Sequence, residues 1–85
     1  MAAPIHLRPD EADEYFFEEG CYILELWNSA ADPALSIARV RLPAGQKTRT
    51  HRLHHTSERY VILQGSGEAR IGDAPPVAVN PGDVV

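Results

Sequence analysis

The chain is poor in cysteine, in positive charge and in long apolar runs, and each shortage removes a class of function. Cys21 is the single cysteine, so no disulfide can close within the chain, and its compartment is expected to be reducing, that is, cytoplasmic. Cys21 lies beside Tyr22 and Ile23 in a strand-like pattern, which reads as a buried structural thiol rather than a nucleophile. Lysine and arginine number 8 against 12 aspartates and glutamates, for a net charge of −4 and a pI near 5.4. No basic stripe exists to neutralise phosphates, so a nucleic-acid partner is not expected. No segment has the length of a transmembrane helix, and the opening MAAPIHLRPDEADEY lacks a basic region followed by an apolar run, so neither a membrane partner nor a signal peptide is expected. Repeats, low-complexity tracts and amphipathic helical periodicity are also missing.

What remains is a soluble-type composition, 44% hydrophobic and 24% charged, over 85 residues. That is one domain, at the small end of what can bury a core alone. The chain is punctuated by turn residues. Ile5 to Leu7 can form a short edge strand, and Pro9-Asp10-Glu11 a turn with one helical turn after it. Glu14 to Trp27 is rich in aromatic and β-branched residues, with a turn or bulge at Gly20. Tyr22, Leu24 and Leu26 are expected on one face, and Ile23, Glu25 and Trp27 on the other. Asn28 to Pro33 is a turn cluster.

Ala34 to Leu42 alternates, with Ala38, Val40 and Leu42 on one face and Arg39 and Arg41 on a wet one. Most of the scattered arginines read as solvated strand faces rather than an anion site. Thr48 to His54 and Glu58 to Gln64 are further strands. Tyr60 to Leu63 is apolar on both faces, which predicts burial on both sides or a subunit interface. Gly65-Ser66-Gly67 reads as a tight hairpin. Glu68 to Ile71 and Val77 to Val79 are strands around a turn at Gly72 to Pro76, and Asp83 caps a turn at 80–83. Short strands between such turns indicate an all-β sandwich or barrel.

The chemistry concentrates between Gly45 and Gly65. His51, His54 and His55 precede Glu58, and imidazoles with a carboxylate on neighbouring strands can hold a divalent metal. On a regular strand His51 and His55 share a face, and a bulge would bring His54 to it. A surface placement of these residues is the plain alternative, with Glu58 and Arg59 as a weak ion pair. Tyr60 is a candidate substrate contact or a core tyrosine. Gly65 and Gly67 lead into no helix and so make no phosphate loop, and no third group completes a triad around Ser57 and His55.

The spacing resembles the first cupin motif, G-x5-H-x-H-x3,4-E-x6-G. Gly45, His51, Glu58 and Gly65 fall in register over 45–65, while Leu53 stands at the second histidine position. Pro81-Gly82-Asp83-Val84-Val85 resembles the start of the second motif. The resemblance implies an all-β cupin-type double-stranded β-helix, a jelly-roll barrel, incomplete at the C-terminus. Residues 1–33 would be a leader with N-terminal strands, and 34–85 the cupin core.

It also implies a metal site at His51 and Glu58, with His54 and His55 as further candidates, and iron, manganese or zinc as the cofactor. Tyr60 would contact a small-molecule ligand, and a homodimer is implied. Three functions stay open. One is a metal-dependent enzyme, dioxygenase or sugar-phosphate isomerase-like, with no catalytic residue assigned. The second is a metal-free ligand-binding domain, and the third a structural subunit. Leu53 favours the last two, and His51 in register with Glu58 favours the first.

Overall fold

The computed structural model describes residues 6–49 and 56–85. These belong to two compact units, Met1–His51 and Arg52–Val85. The described residues form small antiparallel sheets with no α-helix. The chain is all-β, and no closed barrel is present among these residues.

In the first unit, Asp10 starts the first helical turn. Its carboxylate accepts a hydrogen bond from the Ala12 amide at 2.9 Å and caps a 3-10 helix over Glu11–Asp13, because an Asp at this position satisfies an amide the helix leaves open. Strands β1 (Tyr15–Phe17), β2 (Cys21–Asn28) and β3 (Ser36–Arg41) follow in spatial order β1-β2-β3, all antiparallel. His6 and Leu7 are not in a strand, so the expected edge strand does not form over these two residues.

Gly20 closes the β1–β2 hairpin with φ 98°, a left-handed backbone that glycine adopts without cost. A Cβ there would also meet the Lys47 carbonyl at 3.2 Å. The segment after β3 therefore passes beside this hairpin, and the Arg49 amide bonds the Glu19 carbonyl at 3.1 Å.

β2 and β3 pair regularly from Tyr22↔Arg41 to Glu25↔Ala38, then shift by one so that Trp27 faces Ile37. This bulge at Leu26 corrects the expected face of Trp27. Opposed residues share a face, so Trp27 joins Ile37, Arg39, Arg41, Tyr22 and Leu24 rather than Ile23 and Glu25. The indole Nε1 donates to Asp32 Oδ2 at 3.1 Å, within the turn joining β2 to β3. Cys21 and Leu24, each 3% exposed, are the buried residues of this unit among those described. The arginine face is not simply wet: Phe16 packs edge-on against Tyr22 with ring centroids 5.4 Å apart, and Arg41 lies 4.2 Å over the Tyr22 ring. On the other face Val40 is exposed.

In the second unit, β4 (Gly67–Ala69) and β5 (Val77–Val79) pair antiparallel around the turn at Gly72. Strand pairing thus runs through residues 70–76 and not through a hairpin at Gly65-Ser66-Gly67. The 58–64 segment is no full strand. It makes a short ladder: Tyr60 and Val85 exchange backbone hydrogen bonds at 2.8 and 2.9 Å, Ile62 bonds Asp83 and Gly82, and Val61 bridges Val84. The turn at 80–83 is tied at both ends, by Asp83 N to Asn80 O at 3.0 Å and by Asn80 N to Asp83 Oδ2 at 2.8 Å. Asp83 is the turn-capping carboxylate that the sequence implies. Among the described residues of this unit Val79 is the buried hydrophobic one, at 8% exposure, while Val61 and Leu63 are exposed, Leu63 at 75%. Within the chain this apolar run is not buried on both faces, which leaves the subunit-interface alternative.

Candidate functional site

The glycines that frame the motif share a backbone state. Gly45 follows Pro43, whose carbonyl accepts from the Gln46 amide at 3.1 Å, and has φ 77°. Gly65 has φ 77° at the bend after the 60–62 ladder, and Gly82 has φ 93° in the turn at 80–83. All three lie in the left-handed region that favours glycine. The spacing in the sequence therefore coincides with turns whose backbone needs glycine.

Between these turns lie the candidate ligands. His51, His54 and His55 fall outside the described residues, as does Leu53. Glu58 and Tyr60 are described, and both are exposed. The Arg59 guanidinium donates to the Glu58 backbone carbonyl at 3.0 Å, so the described contact within this pair is not between the side-chain charges. Tyr60 is held through its backbone by Val85. Among the described residues no group of three or more His, Cys, Asp or Glu side chains could hold a metal ion. The donor types at His51 and Glu58, nitrogen and oxygen, suit iron, manganese or zinc.

A second cluster was not singled out by the motif reading. Arg39 grips Glu11 with two hydrogen bonds of 2.6 Å and reaches Glu14 at 2.9 Å. Arg41 holds Glu14 through Nη2 at 2.6 Å and Nε at 3.1 and 3.2 Å. Paired forks of this kind are stronger than neutral hydrogen bonds. Hydrogen bonding to Arg39 lowers the Glu11 pKa, and hydrogen bonding to Arg41, then Arg39, lowers that of Glu14. Both arginines are correspondingly pushed up, chiefly by hydrogen bonds to these carboxylates. The Nε of Arg39 is buried without a hydrogen-bond partner among the described residues. The sequence signal for this cluster is the i, i+2 spacing of the two arginines, which places both on one face of β3.

Cys21 is buried, and burial, with the Glu19 charge as a lesser cause, raises its pKa. A thiol kept protonated is a poor nucleophile, which fits the structural role read from the sequence. No helix among the described residues is long and apolar enough to cross a membrane. Comparison of the chain with family models, with curated proteins and with solved structures gives no match.

Proposed function

We propose that this chain is a small cupin-type jelly-roll domain that binds a divalent metal, a small polar ligand, or both. The observation that carries this reading is the register of Gly45, His51, Glu58 and Gly65, whose two glycines adopt the same left-handed turn conformation. His51 would supply an imidazole and Glu58 a carboxylate, with His54 or His55 as a further nitrogen donor. The metal would serve as a Lewis acid that orients a substrate oxygen. Tyr60 would offer its hydroxyl to the ligand. The enzymatic form of this reading is dioxygenase or sugar-phosphate isomerase-like chemistry.

The second reading is a metal-free binding or structural domain, and Leu53 at the place of a ligand favours it, because a leucine coordinates nothing. The exposed apolar residues Val61 and Leu63 support association into a homodimer under either reading.

Elemental analysis of untagged protein separates the two. The metal reading expects about one metal ion per chain, lost in both His51→Ala and Glu58→Ala, since metal affinity collapses when a ligand of a small set is removed. Metal-free wild-type protein would leave only the second reading.

A further inference from the structure

Residues 7–14 run against the first sheet and are fastened at two points. At one end Glu11 and Glu14 are gripped by Arg39 and Arg41 of β3. At the other, Leu7 forms one wall of a depression of about 300 Å³, whose other walls are Trp27, Asp32, Leu35 and Ile37. Those residues cluster because the bulge at Leu26 turns Trp27 onto the arginine face, beside Ile37. The Glu14 side chain is 14% exposed and that of Glu11 72% exposed, so the inner carboxylate is shielded and the outer one is open to solvent. The chain between the two fastenings, Arg8 to Asp10, lines a second depression with Asp13, Glu25 and Leu26.

We propose that residues 7–14 are a charge-clasped strap across the first sheet: neutralising Glu11 and Glu14 frees it, removes the Leu7 wall and opens the apolar depression around Trp27.

Two features favour a releasable strap over a fixed part of the core. Its residues are exposed or half-buried and none is buried, so little apolar area holds it once the charges are gone. Its hold on β3 is concentrated in two carboxylates that meet two arginines across about 25 residues of sequence, so protonating these two carboxyls releases both arginines. The charged groups facing these carboxylates are Arg39 and Arg41 from β3, with Tyr22 of β2 beneath Arg41. Asp10 and Asp13 lie on the strap itself, and Arg8 and Glu25 line the neighbouring depression. Both carboxyls have pKa values lowered from 4.5. Their contribution is therefore complete above that value and is lost as the pH falls through the lowered one. The strap is closed at neutral pH and opens in acid.

Trp27 is the single tryptophan, so acrylamide quenching of its emission reads the depression directly. Amide-exchange protection of β2 and β3 reads the sheet independently. In Glu11→Gln/Glu14→Gln at neutral pH, quenching rises about twofold while β2–β3 protection holds, and Leu7→Ala alone gives the same rise. Combining all three substitutions adds nothing further, because contacts acting through one element are not additive. In the wild type, quenching rises below pH 4.5, and the double variant lacks that transition. Unchanged quenching in the double variant overturns the proposal, as does an additive triple variant. So does β2–β3 protection that falls in step with quenching, in the single Glu11→Gln variant as well as the double, because the carboxylates would then be stabilising the sheet as a whole.

Discussion

The two units solve the same problem, closing a small antiparallel sheet, with different means. Among the described residues, the first has an eight-residue central strand flanked on both sides, two buried residues and a four-member ion cluster. The second has, among the described residues, two three-residue strands, one bridge and a single buried valine. Strand length explains much of this contrast. Eight residues give β2 enough pairing to hold neighbours on both edges, and its alternation offers Leu24 a covered face. Three residues give β4 and β5 one hairpin and little area to bury. The second unit leans instead on turn chemistry, with Asp83 bonded to Asn80 at both backbone and side chain and glycines at its bends. Sheet burial organises the first unit, and turns organise the second.

That contrast can be broken by substitution. The largest effect is expected at Leu24, 3% exposed: Leu24→Ala should cost about 2–3 kcal/mol by loss of burial and an unfilled cavity. In residue-resolved exchange, the loss should appear in β1–β3 before it appears in 67–79. An equal loss in both regions would show that the two fold as one cooperative block.

Glycine substitutions sharpen the comparison at an intermediate scale. Gly20→Ala meets both a left-handed backbone and the Lys47 carbonyl, and should cost about 1–2 kcal/mol. Gly65→Ala has the same backbone strain with open space around it, and should cost about 1 kcal/mol. Denaturant midpoints of the pair check the order, and a reversal would mean that residues 47–49 give way without cost. The smallest effect is expected at Asp83→Ala, about 0.5–1.5 kcal/mol for one lost turn hydrogen bond. It should appear as faster exchange at Asn80 with the first sheet untouched.

Legibility of the fold follows the range of the interactions. The turn at Gly20, the helical turn after Pro9-Asp10-Glu11, the turn at Gly72 and the Asp83 turn are readable in the sequence, because each depends on one residue's backbone preference or on a side chain reaching two or three positions away. Trp27 was misplaced because a bulge inserts one residue into the alternation, and every side chain beyond it changes face. The alternation around Arg39 and Arg41 predicts a solvated strand face. Their partners Glu11 and Glu14 lie on a different element, and no local pattern links them. The apolar content of 58–64 predicts burial on both sides or a subunit interface; only its 60–62 part is paired, and Val61 and Leu63 are exposed on the single chain. For the candidate site, spacing alone marks out Gly45 and Gly65 as turn glycines, and both have positive φ. Of its side chains, Glu58 and Tyr60 are described and are exposed, while the three histidines lie outside the described residues.

By itself the sequence determined the strand-rich class, the turns and the acidic balance, since composition and single-residue dihedral preferences act locally. Only the tertiary structure decided the bulge that turns Trp27 toward Ile37, the pairing of two arginines with two distant carboxylates, and which few side chains leave water. Each of those depends on what a second element brings alongside, and long-range pairing of that kind leaves no periodic trace in the chain.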